Sequence, residues 1–430
     1  MISAKADVSR QKNRKRPKIF YGWWIVAVSL VILFITIGLT VYTFGVFFQP
    51  LIAEFGWGRA TFSGAMSIFM LAWGFACPFA GRLTDRYGPP KPIVWGTVAL
   101  GASFCLLSLT GALWQLYLLY ACAGVAAAIC SEIPTNTAIT NWFQKKRGMA
   151  MGIAAAGMGF GGLVLAPAAG QFITDFGWQA TFLVMGLLTW VIIIPLAAFI
   201  MKARPQEMGL LPDGEASHEN ESLPGTKNSP ARQNSATAKL PAAAINKKEL
   251  WLVGFAFSAV SFGIVSVTTH EVPFIIDLGV PLGMAATALG LTAGIGILGK
   301  LGLGYLADRH SPRWVMLAFI ALQAVGVVIL MQSKTLGMVW VFVAVYAFAA
   351  GGMNTLRPLV IGECFGTDSF GKTFGAAELI RRLGAAAGPL VTGYIFDLTG
   401  SYHYAFIIIV VAYLAAMVLI SRVHPVIEKA

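Results

Sequence analysis

Two adjacent arginines, Arg381 and Arg382, interrupt GAAELIRRLGAAAGPLVTGYIF, a stretch otherwise apolar and long enough to cross a bilayer. A charge at that depth costs ~2.5 kcal/mol or more, so it persists where it faces a cavity or a partner. Glu378 lies three and four residues before them, at the spacing of neighbours on one helix face. One carboxylate neutralises one guanidinium, and a positive charge is left over. Lys300 adds another base in the apolar run 284–306, with no acid before it in that run. The chemistry these residues suggest is the binding of an anion inside a membrane. Because adjacent helical residues diverge by roughly 100°, Arg381 is assigned to the anion and Arg382 to the Glu378 pair. The competing reading ties Arg382 to Glu378 and to backbone carbonyls, and lets Lys300 snorkel to the water surface.

Acids that handle protons or close a gate come next. Glu132, before Ile133-Pro134, is an isolated carboxylate in an apolar run; it either exchanges a proton or pairs across the molecule with Lys300 or an arginine, and Glu378 is a second candidate for these roles. Tyr42 and Tyr346 offer hydroxyls to a carboxylate or serve packing alone. His270 and Glu271 read as a wet helix end, and Arg357 as an interfacial residue. No metal, nucleophile or nucleotide motif occurs, so neither catalysis nor a cofactor is expected.

The elements that position these residues follow from composition. Charged residues make up 12% of the chain and hydrophobic residues 57%, with a mean hydropathy of +0.73, whereas soluble domains carry about 25% charged residues. The expected fold is therefore an all-α integral membrane protein. Apolar runs near 20 residues long fall at 20–48, 60–81, 92–111, 114–140, 148–173 and 179–201, then at 250–276, 284–306, 314–332, 337–360, 371–396 and 403–422. That predicts twelve transmembrane helices. Lysine and arginine concentrate on one side: Lys5 to Lys18 before the first run, Arg82, Arg86 and Lys91, Lys145 to Arg147, and Arg309 and Arg313. Arg59 and Lys334 stand opposite, so both termini are expected in the cytoplasm. The formal charge of +12 follows from that asymmetry and from anionic lipid at the basic side, and needs no nucleic acid. The run from Ile19 is too long for a removable signal peptide. Five cysteines, an odd number in or beside spans, imply no disulfide framework.

The chain repeats itself. Gly81-Arg-Leu-Thr-Asp85-Arg86 returns 223 residues later as Gly304-Tyr-Leu-Ala-Asp308-Arg309, Gly148-x3-Gly152 returns as Gly371-x3-Gly375, and Pro167 returns one residue out of register as Pro389. A polar segment, 202–248, separates the copies. The expected organisation is a basic tail (1–19), a six-helix lobe (20–201), a linker (202–248), a second lobe (249–422) and a short tail (423–430). Such repeats belong to secondary transporters with a site between the lobes, and one copy suffices for that site. Counterparts of Glu378, Arg381 and Arg382 in the first half are Ala155, Met158 and Gly159, so the scaffold alone does not require charge there.

GRLTDRYGPPK resembles the signature loop of the major facilitator superfamily, and GYLADRH its weaker second copy. The resemblance implies a cytoplasmic latch made by Gly81, Asp85 and Arg86 with Gly304, Asp308 and Arg309. FYGWWIVAVSL, FQPLIAEFGWGRATFSGA and NWFQKKRGMAMGIAAAG are similar to the monocarboxylate porters and oxalate/formate antiporters of that superfamily. In those families a basic residue four positions before the second signature glycine binds the anion, and that position here is Lys300; a lysine in span eleven matches Arg381. Lysine keeps the charge of the family's arginine without its bidentate fork. Tyr42 stands where proton-coupled porters carry a lysine. The resemblance implies a transporter working by alternating access on a small mono- or dicarboxylate, by proton symport or anion exchange. The basic inner side and the absence of targeting patterns point to a bacterial inner membrane, with a eukaryotic plasma membrane as the alternative. Efflux of amphipathic compounds is the main alternative; a receptor on a transporter scaffold and an anion channel are weaker ones.

Overall fold

The structure is a computed structural model that describes residues 20–214, 247–307, 309–365 and 370–423. The tails, most of the linker and Asp308 lie outside the described residues. Every described element is helical. Ten stretches are long and apolar enough to cross a membrane. One of them, Arg147–Ile200, turns back on itself at Gly177, whose φ of +83° ends one helix and starts the next. Only glycine takes that conformation without strain. Phe370–Thr399 is a further 30-residue helix, and it holds Glu378, Arg381 and Arg382.

We number the helices in chain order. The first half contains α1 (Gly22–Ile37), α2 (Phe48–Phe55), α3 (Arg59–Tyr87), α4 (Pro90–Leu107), α5 (Leu113–Cys130), α6 (Glu132–Trp142), α7 (147–176) and α8 (178–195). The second half contains α9 (Lys247–Asp277), α10 (Leu282–Ala307), α11 (Pro312–Gln332), α12 (Leu336–Gly351), α13 (Met353–Phe365), α14 (Phe370–Thr399) and α15 (His403–Ser421). Tyr21 Oη donates to Ile200 O at 2.8 Å and Arg313 Nη1 to Val423 O at 2.6 Å. The first bond draws the beginning and end of the first half to one face of the bundle, here called proximal, and the second holds the start of α11 against the end of α15; Arg59 and Asp277 lie at the distal face.

Three crossings are broken, each where the backbone ladder is disturbed. Between α1 and α2 a π turn, Gly38–Tyr42, and a 3-10 turn, Phe44–Phe47, carry the chain. Thr40 and Thr43 each donate a hydroxyl at 2.6 Å to the carbonyl four residues back, a bond that bends helices. α5 stops at Ser131, whose φ of −103° and ψ of −112° are not helical, and Glu132 opens α6. Pro134 removes a donor from α6's first turn. In the second half Gly351 and Gly352 separate α12 from α13. The breaks at Ser131 and Gly352 occupy related places in the two halves, and each is followed by charged residues.

Small residues set the helix contacts. A side chain added to Gly161 would meet Phe34 O of α1 at 2.1 Å, and one added to Gly384 would meet Ser258 O of α9 at 2.0 Å. Those glycines are 223 residues apart, so both halves dock the arginine-bearing position's helix, or its counterpart, by the same backbone approach. Gly162 and Gly159 then face Ala293 and Ile297 of α10, and Gly393 faces the start of α3. Thus α7 packs on α10 and α14 on α3, which are the contacts that join the halves. Replacing Gly384 with alanine should lower stability by about 1–3 kcal/mol through overpacking. Gly152→Ala, which meets nothing within 4 Å, should leave the detergent-solubilised protein's Tm unchanged or slightly higher; equal Tm losses for both would contradict this account.

Candidate functional site

The broken and arginine-bearing helices bring six charged side chains together where the halves meet. Arg357, five residues after the break at Gly352, donates to Glu378 Oε1 at 2.7 Å. Arg381 donates from Nε to Glu378 Oε2 at 2.6 Å and from Nη1 to Ser261 Oγ at 3.3 Å. All three chains are mostly enclosed, with side-chain exposures of 14% for Arg357, 12% for Arg381 and 22% for Glu378. Arg357 also donates to Asn354 Oδ1. Lys300 reaches across to the first half and donates to Ala155 O at 3.2 Å. Glu132 accepts no hydrogen bond among the described residues, yet its charge acts on Lys300, Arg357 and Arg382.

The Glu378 pairing differs from the sequence expectation. Arg381, not Arg382, takes the carboxylate, and Arg357 takes its other oxygen. Arg382 instead lays its guanidinium 4.7 Å over the Trp73 ring of α3, a cation–π contact. Gly74 explains the turn: its missing side chain leaves room for Arg382, whose Cβ and Cγ lie 3.3 Å from where a methyl would be. Arg357 is likewise no interfacial residue. The break at Gly352 aims α13 so that this side chain points inward, a redirection not visible in a continuous apolar run. Lys300 does not snorkel; seven residues separate it from the end of α10, about 10 Å at 1.5 Å per residue.

Formally the cluster holds four bases, Lys300, Arg357, Arg381 and Arg382, against Glu132 and Glu378. Two positive charges are unmatched. Arg382 and Lys300 have no carboxylate bonded to them among the described residues, and both touch the first half. An anion lying between the halves would meet them with no need to displace Glu378.

Tyr42 and Tyr346 gather elsewhere. They face Glu271, whose charge acts on both, and Tyr346 Oη lies 3.1 Å from Tyr413 Oη. His270 and Glu271 are fully buried, contrary to the wet helix end expected from sequence. The reason is that α9 continues to Asp277, and the start of α3 with α14 and α15 covers it. His270 Nε2 lies 3.0 Å from Pro389 O and 3.2 Å from Ser63 Oγ, and Nδ1 lies 3.1 Å from Tyr402 Oη. A carbonyl only accepts, so Nε2 carries the proton and Nδ1 accepts from Tyr402.

This histidine belongs to a distal closure that sequence reasoning missed. Arg59, at the first position of α3, forms two 2.7 Å bonds with the Asp277 carboxylate and a third to Tyr402 Oη. Its guanidinium stacks 3.7 Å from the Phe396 ring centre. Asp397 caps the same helix by accepting from Arg59 N and Ala60 N, both at 2.8 Å, where a carboxylate also meets the helix dipole favourably. The only advance signal was that Arg59 is one of few bases on its side. At the proximal end Asp85 and Arg86 are exposed, Gly81 faces open space, and Gly304 lies in α10. No described hydrogen bond ties Asp85 to the second half. The conformation is therefore closed distally.

A helical bundle in two repeated halves, with buried charge between them and a closure at one end, defines a membrane transporter and not an enzyme. The Major Facilitator Superfamily model matches residues 30–310 and 253–429, and the chain belongs to that family of multi-pass membrane proteins. It is similar to Monocarboxylate transporter 12 of Mus musculus, 24% identical over 421 residues, covering 94% of this chain and 85% of that protein. It is also similar to the Oxalate:formate antiporter of Oxalobacter formigenes, 27% identical over 361 residues, covering 82% and 80%. Among solved structures, a bacterial homolog to the human lysosomal transporter Spinster, inward-facing and occupied, superposes with a TM-score of 0.70 at 16% identity, covering 94% of this chain and 96% of that one.

If the Arg59 bonds hold the distal end shut, Arg59→Ala should release it. Spin labels placed at the distal ends of α3 and α15 should then report a longer, broader distance distribution than in the parent protein. An unchanged distribution would mean that the surrounding packing, not this bond network, keeps the end closed.

Proposed function

We propose that the protein is a secondary active transporter of a small organic anion, a mono- or dicarboxylate, working by alternating access. The observation that carries the reading is the pair of unmatched positive charges on Lys300 and Arg382 at the junction of the halves. An enclosed excess charge is unfavourable alone and becomes favourable once an anion arrives to share it. Arg382 offers a planar fork and Lys300 a point charge, both from the second half and both lying against the first, so a carboxylate held by them would sit where the halves meet. Arg381 and Arg357 hold Glu378, leaving Arg381 with donors to spare for a second carboxylate. Glu132, free of hydrogen bonds beside the same bases, is suited either to a proton or to pairing with a base when the anion has left. Relatives named as a monocarboxylate transporter and an oxalate:formate antiporter support an acid as cargo.

In this reading the chain crosses twelve times: 147–176 and 178–195 are separate crossings, and the two-part stretches α1–α2, α5–α6 and α12–α13 are single ones. The lobes are 20–201 and 249–422, joined by the 202–248 linker, and a single copy carries the whole site. The proximal face is cytoplasmic, with both termini there, and the membrane is the bacterial inner one. The Gly81-Asp85-Arg86 loop and its Gly304-Asp308-Arg309 copy then latch the cytoplasmic side when the distal side opens. Proton symport or anion exchange drives the cycle.

The test is uptake of labelled lactate, pyruvate, formate, oxalate and succinate into proteoliposomes, with and without an inward proton gradient. One acid should be taken up saturably, and Lys300→Ala or Arg382→Ala should weaken its apparent affinity about 10- to 100-fold, as loss of a charged hydrogen bond costs about 1.5–3 kcal/mol. If no acid moves while lipophilic cations are extruded, the efflux alternative replaces this reading.

A further inference from the structure

We propose that Glu271 is a proton-binding site, distinct from the charged cluster, whose occupancy decides whether the distal end of the transporter can close. This rests on the transporter reading but not on which anion is carried.

Glu271 lies six residues before the distal end of α9, about 9 Å along the helix, while the bases sit toward the proximal side. Its side chain is completely buried. Oε1 accepts a 2.7 Å hydrogen bond from Thr292 Oγ1 of α10. Oε2 has no partner. The titratable groups that face it are Tyr42 from the first half and Tyr346 from α12, with Tyr413 of α15 behind Tyr346. His270, adjacent in sequence, turns the other way to Ser63, Pro389 and Tyr402. No arginine, lysine or histidine on α3, α10, α11, α13, α14 or α15 acts on its charge among the described residues.

A carboxylate sealed in this way, without a cation and with one oxygen bare, costs several kcal/mol to keep ionised. Its neutral form carries one proton, whose natural place is the bare oxygen, since Oε1 already accepts from Thr292. One wall of the pocket belongs to the opposite half: Tyr42 ends the π turn of the first crossing, and the neighbouring Gly45 approaches Thr269 O of α9 to 3.0 Å for an added methyl. Opening the distal end separates that wall from α9 and admits water. Ionisation is then tolerated. Closing again requires that the carboxylate first take up one proton, so closure is linked to the pH on the distal side, and the proton returns to that side when the end reopens.

Two measurements decide this. Infrared difference spectra of the purified protein should contain a protonated-carboxyl C=O band at neutral pH that Glu271→Gln removes and Thr292→Val shifts upward by loss of its hydrogen bond. Gln keeps the shape and the acceptor for Thr292, and the Thr292→Val shift carries the decision if the glutamine variant fails to fold. No such band, or one unchanged by either substitution, overturns the proposal. In proteoliposomes with the acid that wild type transports, transport should slow as the distal side is made alkaline, and Glu271→Gln, which cannot ionise, should remove that dependence. A distal-pH dependence unchanged by Glu271→Gln overturns it too. If wild type moves no acid at all, the carboxylate reading fails and the infrared result still decides whether Glu271 holds a proton.

Discussion

Unbalanced positive charge in an enclosed place is the constraint on which this structure turns. Four bases and two carboxylates meet at the junction of the halves, and no described group neutralises the remainder. Water would screen such charge fully at a surface, but these side chains are largely enclosed, and an anion lying among them would lower the cost of the excess charge. Everything near the cluster serves to hold the bases without quenching them. Ser261 and Asn354 occupy guanidinium donors, Glu378 fixes two arginines in one geometry, and Trp73 offers Arg382 a ring face in place of a counter-ion. A ring face steadies a cation while leaving its edge donors free.

The scaffold makes the cluster movable. Broken crossings at Gly38–Tyr42, Ser131 and Gly352 put hinges and charged residues side by side, so a change in one helix angle changes the distance between charges. Glycine contacts at Gly161 and Gly384 bind α7 to α1 and α14 to α9 tightly within each half. Between the halves, α7 packs on α10 and α14 on α3, and polar contacts across the same junction include Lys300 on a carbonyl, Arg382 near an indole, and the Arg59 network at the distal end. Rigid halves that meet along two helix pairs, with polar contacts at particular points, are what a rocking motion requires. The far stronger closure at the distal end explains why Asp85 and Arg86 stand exposed at the other.

Sequence alone revealed the class, the repeat and the charges worth attention. Lys300, Arg381, Arg382, Glu378 and Glu132 stood out because a charge in an apolar run contradicts its surroundings, and that contradiction needs no coordinates. Partner choice was not legible. Positions 381 and 382 both lie within a helical turn of Glu378, and the decision falls to Gly74 on another helix. Arg357, His270 and Glu271 were misread for a related reason. Each lies near the end of an apolar run, where sequence cannot separate a water-exposed terminus from one turned inward by a helix break, as at Arg357, or covered by the other half, as at His270 and Glu271. The distal closure combines Arg59, Asp277, Asp397 and Tyr402 from four helices, and no local spacing links them.

The most direct test of the central claim is calorimetric binding of small carboxylic acids to the purified protein, beside the uncharged amides of the same acids. If the unmatched charge is the binding determinant, an acid binds, its amide does not, and replacing both Lys300 and Arg382 with glutamine removes the difference. Equal binding of acid and amide, or tight binding of an amphipathic cation in their place, would contradict the account.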